Sequence, residues 1–63
     1  MNGTAQFEIY EDAAGEFRWR LRAAPNSEPI ASSEAYTSKA ACKNGIESVR
    51  NTAPNAMVQD LTK

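Results

Sequence analysis

Between residues 5 and 24 apolar and polar side chains alternate twice. In 5–11, Phe7 and Ile9 fall on one side, with Gln6, Glu8 and Tyr10 on the other. In 16–24, Phe17, Trp19, Leu21 and Ala23 share one face, and Glu16, Arg18, Arg20 and Arg22 share the opposite one. A period of two marks a strand with one face in the core. Asp12-Ala-Ala-Gly15 joins the two runs: Asp suits the first position of a type I turn and Gly the αL residue after it, which makes a three-residue hairpin with a bulge. Pairing Asp12 with Glu16 sets Ile9 opposite Trp19 and Phe7 opposite Leu21. On the other face Tyr10 then meets Arg18 and Glu8 meets Arg20. A slip of one residue would place Trp19 against Glu8, so pattern and turn select the same register.

Pro25-Asn-Ser-Glu-Pro29 ends the second strand, and a short third strand is expected over about 30–33. Pro29 has no N–H to donate and fits only a strand start or an edge. Thr37 or Ser38 can cap a helix that runs to about Thr52, because Pro54 prevents its continuation. Cys42, Gly45, Ile46, Val49 and Ala53 recur at spacings of three and four and form its inner stripe; Lys43, Glu47 and Arg50 face outward. Glycine costs a helix interior roughly 1 kcal/mol against alanine. Gly45 on the inner stripe therefore predicts a close approach to the sheet, beneath Trp19. Residues 56–61 read as a last strand, with Met57 and Leu61 on one face. The expected fold is α+β, ordered β-β-β-α-β: one antiparallel sheet with one helix packed on it, a single domain over 1–63 with its ordered core at about 5–61.

Composition adds a constraint. At 63 residues, apolar burial and the entropy of ordering the chain nearly cancel, and domains of this size gain stability from disulfides, a metal or a partner subunit. Cys42 is the lone cysteine and there is no histidine, so an intrachain disulfide is excluded and the commonest transition-metal ligand is missing. A second subunit or very regular packing remains. One cysteine, a start at Met1–Gln6 that lacks the basic and apolar regions of a signal peptide, and no apolar run near ~20 residues point to a cytoplasmic protein away from the membrane.

Seven basic and eight acidic residues give a net charge of −1, which argues against tight nonspecific nucleic-acid binding. Three groups of residues are candidates for a site. Arg18, Arg20 and Arg22 with Tyr10 make a basic stripe that could meet nucleic acid, a phosphorylated ligand or an acidic protein; the plainer reading is a solvated face neutralised by Glu8 and Glu16. Thr37, Ser38 and Lys39 at the helix start could hold an anion, though capping alone explains the hydroxyls. Asn44, Gly45 and Ser48 could serve a ligand, a partner chain or packing. The scattered carboxylates, a cysteine on the buried stripe and the lack of a nucleophile–base pair predict no catalytic residues, no metal and no cofactor.

Several segments together resemble the YegP-like family of small bacterial domains of unknown function. They are Phe7-Glu-Ile-Tyr10, Gly15-Glu-Phe-Arg-Trp-Arg-Leu21, Ile30-Ala-Ser-Ser-Glu34, Tyr36-Thr-Ser-Lys-Ala40, Lys43-Asn-Gly-Ile-Glu-Ser-Val49 and Ala53-Pro54. The resemblance spans nearly the whole chain, in the family's order. It implies single or tandem copies of a β-β-β-α-β unit that exchange their C-terminal strands within one sheet. For this chain it implies a homodimer with 56–61 docked on the partner. Two departures stand out: the longer Pro25-Asn26-Ser27 replaces an Asn-Gly turn, and Ala35 stands where glycine is common. The short, proline-bearing hinge before residue 56 suits exchange, while a right-handed crossover within one chain is the alternative. The functional expectation is a non-catalytic dimeric interaction or binding module, with a weak nucleic-acid or anion binder on the arginine face as the second reading.

Overall fold

The computed structural model describes residues 5–63; the reading of Met1–Gln6 as lacking a signal peptide falls largely outside the described residues. Three strands form one antiparallel sheet in chain order: β1 (Gln6–Glu11), β2 (Phe17–Arg22) and β3 (Pro29–Ser32). Helix α1 (Lys39–Thr52) crosses one face and ends in a 3-10 turn, Ala53–Asn55.

The β1–β2 register is the one that the turn and the alternation select, with Phe7 opposite Leu21, Glu8 opposite Arg20, Ile9 opposite Trp19 and Tyr10 opposite Arg18. The hairpin closes as its residues dictate. Asp12 N–H donates to the Glu16 carbonyl at 2.8 Å and Gly15 N–H to the Asp12 carbonyl at 3.0 Å. Gly15 has φ of 80°, the left-handed region where a Cβ is strained. The Asp12 carboxylate accepts the backbone N–H groups of Ala14 and Glu16, both at 2.9 Å.

Beyond the hairpin the strands differ from expectation in detail. β2 stops at Arg22, where a register shift against β3 bends it away, and Ala23 leaves the core face for solvent. Ser27 N–H then donates to the Ala24 carbonyl at 3.0 Å, a turn with Pro25 at the position where its fixed φ fits. After β3 the chain stays beside β2: Ser33 N–H donates to the Trp19 carbonyl, and Phe17 and Tyr36 exchange two backbone hydrogen bonds of 2.8 and 2.7 Å. Ser38, rather than Thr37, is the N-cap, and its Oγ accepts the Ala41 N–H at 3.0 Å.

Trp19 is the centre of the core. Its ring meets Phe7 edge-on at 5.4 Å between centroids, and Gly45 lies against its indole nitrogen and the Tyr36 ring. A Cβ at Gly45 would sit 3.4 Å from Trp19 Nε1, 2.9 Å from Tyr36 Cζ, and in collision with Tyr36 Oη. The glycine on the inner stripe is thus explained by close packing, as its position in the pattern predicts. Trp19 Nε1 is buried and has no hydrogen-bond partner among the described residues. Trp19 and Cys42 are the two buried apolar residues among the described ones, at 6% and 0% exposure. Phe7, Ile9, Phe17, Leu21, Ile46 and Val49 are only half-buried.

The expected last strand does not form within the chain. Ala56 is extended, but residues 56–63 join no strand pairing among the described residues, which form β-β-β-α. Met57, Val58 and Leu61 stand in solvent at 91%, 96% and 82% exposure. A crossover back to its own sheet is therefore not the path taken. The 3-10 turn directs the segment outward instead.

Candidate functional site

Alternation along β2 places Arg18, Arg20 and Arg22 on the sheet face opposite the helix, and β1 supplies their partners. Arg20 Nε–H and Arg22 Nε–H both donate to Glu8 Oε1, at 2.7 and 2.9 Å, while Gln6 Nε2 donates to Glu8 Oε2 at 2.6 Å. The first two of these bonds, with the third, hold the Glu8 carboxyl down to a pKa of about 2. Arg18 Nε–H donates to Asp12 Oδ2 at 2.8 Å, and that bond, aided by the turn N–H groups, lowers the Asp12 carboxyl as well. Arg22 also donates to the Ser27 carbonyl and ties the sheet face to the turn before β3.

Two details differ from expectation. The aromatic partner of Tyr10 is Arg20, its guanidinium 4.8 Å from the ring centre, and not the directly opposite Arg18. Asp12, not Glu16, neutralises Arg18. The turn explains both: Asp12 projects its carboxylate back over the sheet, takes Arg18 and leaves Tyr10 to Arg20. The sequence signal was the Asp at the hairpin's first position, which served to assign the turn and not the ion pair. The stripe exists as expected, and each of its guanidinium groups is engaged by a carboxylate.

The other candidates lie apart from it. Ser38 Oγ is occupied as the cap, Thr37 is exposed, and Lys39 lies 5.8 Å from the centre of the Phe17 ring. Asn44 and Ser48 are exposed on α1, whereas Gly45 belongs to the packing over Trp19. The Cys42 thiol is enclosed, and burial pushes its pKa up, the opposite of what a nucleophilic cysteine needs.

Sequence reasoning missed one feature. A groove of about 430 Å³ opens between β1 and the first turns of α1, lined by Ile9, Tyr10, Glu11, Phe17, Lys39 and Lys43. Its walls come from elements distant in sequence, so only the placement of the helix reveals it.

Residues 12–60 match the family described as a domain of unknown function, DUF1508. The chain belongs to this family. That agrees with the YegP-like resemblance of its motifs. A UPF0339 protein of Treponema denticola is 55% identical over 56 residues, which is 89% of this chain and 95% of that protein. A UPF0339 protein of Stutzerimonas stutzeri is 54% identical over 55 residues, 87% of this chain but 47% of that protein. This DUF1508 chain spans about half the length of that relative. Among solved structures, the solution structure of a protein from Haloferax volcanii matches at a TM-score of 0.82 and 46% identity, covering 95% of this chain and 98% of that one. An archaeal neighbour so similar shows that the fold is not confined to bacteria, as the resemblance alone had it.

Proposed function

We propose that this DUF1508 chain is a non-catalytic interaction module that acts as a homodimer, each copy lending residues 56–61 to the other. The observation that carries the reading is the exposure of Met57, Val58 and Leu61 on a segment that joins no strand pairing among the described residues. Three large apolar side chains in six residues are unfavourable in water, each by about 1.5–3 kcal/mol relative to burial. The half-buried state of Phe7, Ile9, Leu21 and Val49 supports the same reading from the other side, because a second chain would complete the core.

Size agrees. A compact 6.9 kDa monomer should expose about 4,000 Å², and this chain exposes 4945 Å². The surplus on two chains is close to the roughly 1,600 Å² of a standard interface. The radius of gyration, 13.4 Å, likewise exceeds the roughly 10.6 Å of a compact domain of this length. Gel filtration with light scattering tests the assembly: the expected mass is twice 6.9 kDa, and a monomer at micromolar concentration would refute it.

A non-catalytic role is supported by the residues themselves. Glu8 and Asp12 are committed to arginines with lowered pKa values, and Cys42 is enclosed with a raised one. The cytoplasm remains the expected compartment, from the single buried thiol; no helix among the described residues is long and apolar enough to cross a membrane.

The second reading, an anion or nucleic-acid surface on Arg18, Arg20 and Arg22, draws support from a dimer, which would carry the stripe twice. The ion pairs with Glu8 and Asp12 weigh against it. Pull-down from lysate with and without nuclease separates the readings: a protein partner survives nuclease, whereas a nucleic-acid partner is lost and its binding falls with salt.

A further inference from the structure

The groove between β1 and the start of α1 combines an apolar floor with a charged rim. Ile9 and Phe17 line it and are half-buried; Lys39 and Lys43 reach it from the helix and Glu11 from the strand. Strand alternation places Glu11 on the same side as Ile9, the side that carries α1. The Tyr10 ring is held by Arg20 on the far face, so Ile9 and Phe17 supply the apolar contact. At about 430 Å³ the space falls within the range of small-molecule pockets.

The charges around this groove are unfavourable for the free chain. Lys39 and Lys43 stand four apart on α1, so two like charges share one helix face and repel. The first turn of α1 has no acidic residue, and Lys39 opens the helix at the end where aligned peptide dipoles favour negative charge. Arg18, Arg20, Arg22 and Arg50 each join an ion pair, whereas Lys39, Lys43 and Glu11 join none among the described residues. Lys39 instead stands 5.8 Å from the centre of the Phe17 ring, over the apolar floor. An anion seated between the lysines would relieve both conflicts. Glu11 limits how much charge it can carry. Two cations and one carboxylate leave a single positive charge to balance, which suits a monoanion better than a dianionic phosphate.

We propose that this groove binds a small carboxylate with an apolar body. The carboxylate accepts hydrogen bonds from Nζ of Lys39 and of Lys43, and the body lies on Ile9 and Phe17. Charge-assisted bonds of this kind are roughly twice as strong as neutral ones, so they fix the orientation of the ligand. Glu11 at the rim repels a second negative charge and selects against phosphate esters. All the lining residues belong to one chain, so the proposal does not depend on the dimer reading.

Hydrocinnamate, titrated into the isotope-labelled full chain and followed by amide chemical shifts, tests the site. Saturable shifts are expected at Ile9, Glu11, Phe17, Lys39 and Lys43, with the arginine face unmoved. The neutral amide of hydrocinnamate should bind at least about tenfold more weakly to the same protein, as the loss of charge-assisted bonds implies. Hydrocinnamate itself should weaken as much on a variant carrying Lys39→Gln and Lys43→Gln. Phenethyl phosphate should bind less tightly than hydrocinnamate, and Glu11→Gln should narrow that difference. Shifts that do not saturate in the millimolar range, shifts centred on Arg18, Arg20 and Arg22, or equal affinity for the acid and its amide overturn the site. Tighter binding of the phosphate overturns the choice of ligand.

Discussion

Gly45→Ala isolates the contact on which the helix–sheet packing depends. In an exposed helix the substitution would stabilise by about 1 kcal/mol through helix propensity. Here the added methyl would collide with Tyr36 Oη and lie 2.9 Å from Cζ and 3.4 Å from Trp19 Nε1. The tyrosine backbone is held to Phe17 by two short hydrogen bonds, so relief requires the ring to swing out or α1 to lift, and either motion uncovers Trp19. Overpacking of this kind costs about 1–3 kcal/mol, more than the propensity gain. The expected net loss is about 1 kcal/mol, a fall in Tm of about 4–8 °C for a domain this small. Thermal melts at matched protomer concentration measure it, since Tm of a dimer depends on concentration. Tyr36→Phe removes the colliding oxygen but keeps Cζ, so Gly45→Ala in that background should cost less, by at least about 0.5 kcal/mol of coupling. A Gly45→Ala variant that melts several degrees higher than the parent would refute the close-packing account.

Three further outcomes follow from other parts of the structure. Glu8 has its pKa lowered from 4.5 to about 2; its contribution is complete above about pH 4.5 and is lost as pH falls toward 2, and Glu8→Gln should flatten that acid limb in denaturant midpoints taken across the window. Cys42, fully enclosed with a raised pKa, should resist thiol reagents in the native protein and react on unfolding; rapid native labelling would contradict its burial. Ser38→Ala removes the cap on Ala41 N–H and should lower stability by about 1 kcal/mol, whereas Thr37→Ala should change it little.

Much of this fold is legible in local rules. The Asp12–Gly15 turn and the alternation around it determine the hairpin and its register, because a slip of one residue would turn every apolar side chain outward. Gly45 on an apolar stripe signals its own close contact. The arginine stripe is legible too, but its chemistry is not: which carboxylate meets which guanidinium depends on how Asp12 leans over the sheet and on Glu8 reaching two arginines, a matter of three-dimensional spacing. The groove beside β1 and the burial of the Trp19 N–H are visible only once α1 has been placed.

The last six residues divide the two sources most clearly. By itself the sequence determined that 56–61 has strand-like chemistry, since extended propensity and an apolar side belong to the residues. Only the tertiary structure decided that the strand finds no ladder in its own chain, because Ala53–Asn55 turns it away from the sheet. A strand is defined by its hydrogen-bond partners, and those are set by where the rest of the molecule leaves an open edge.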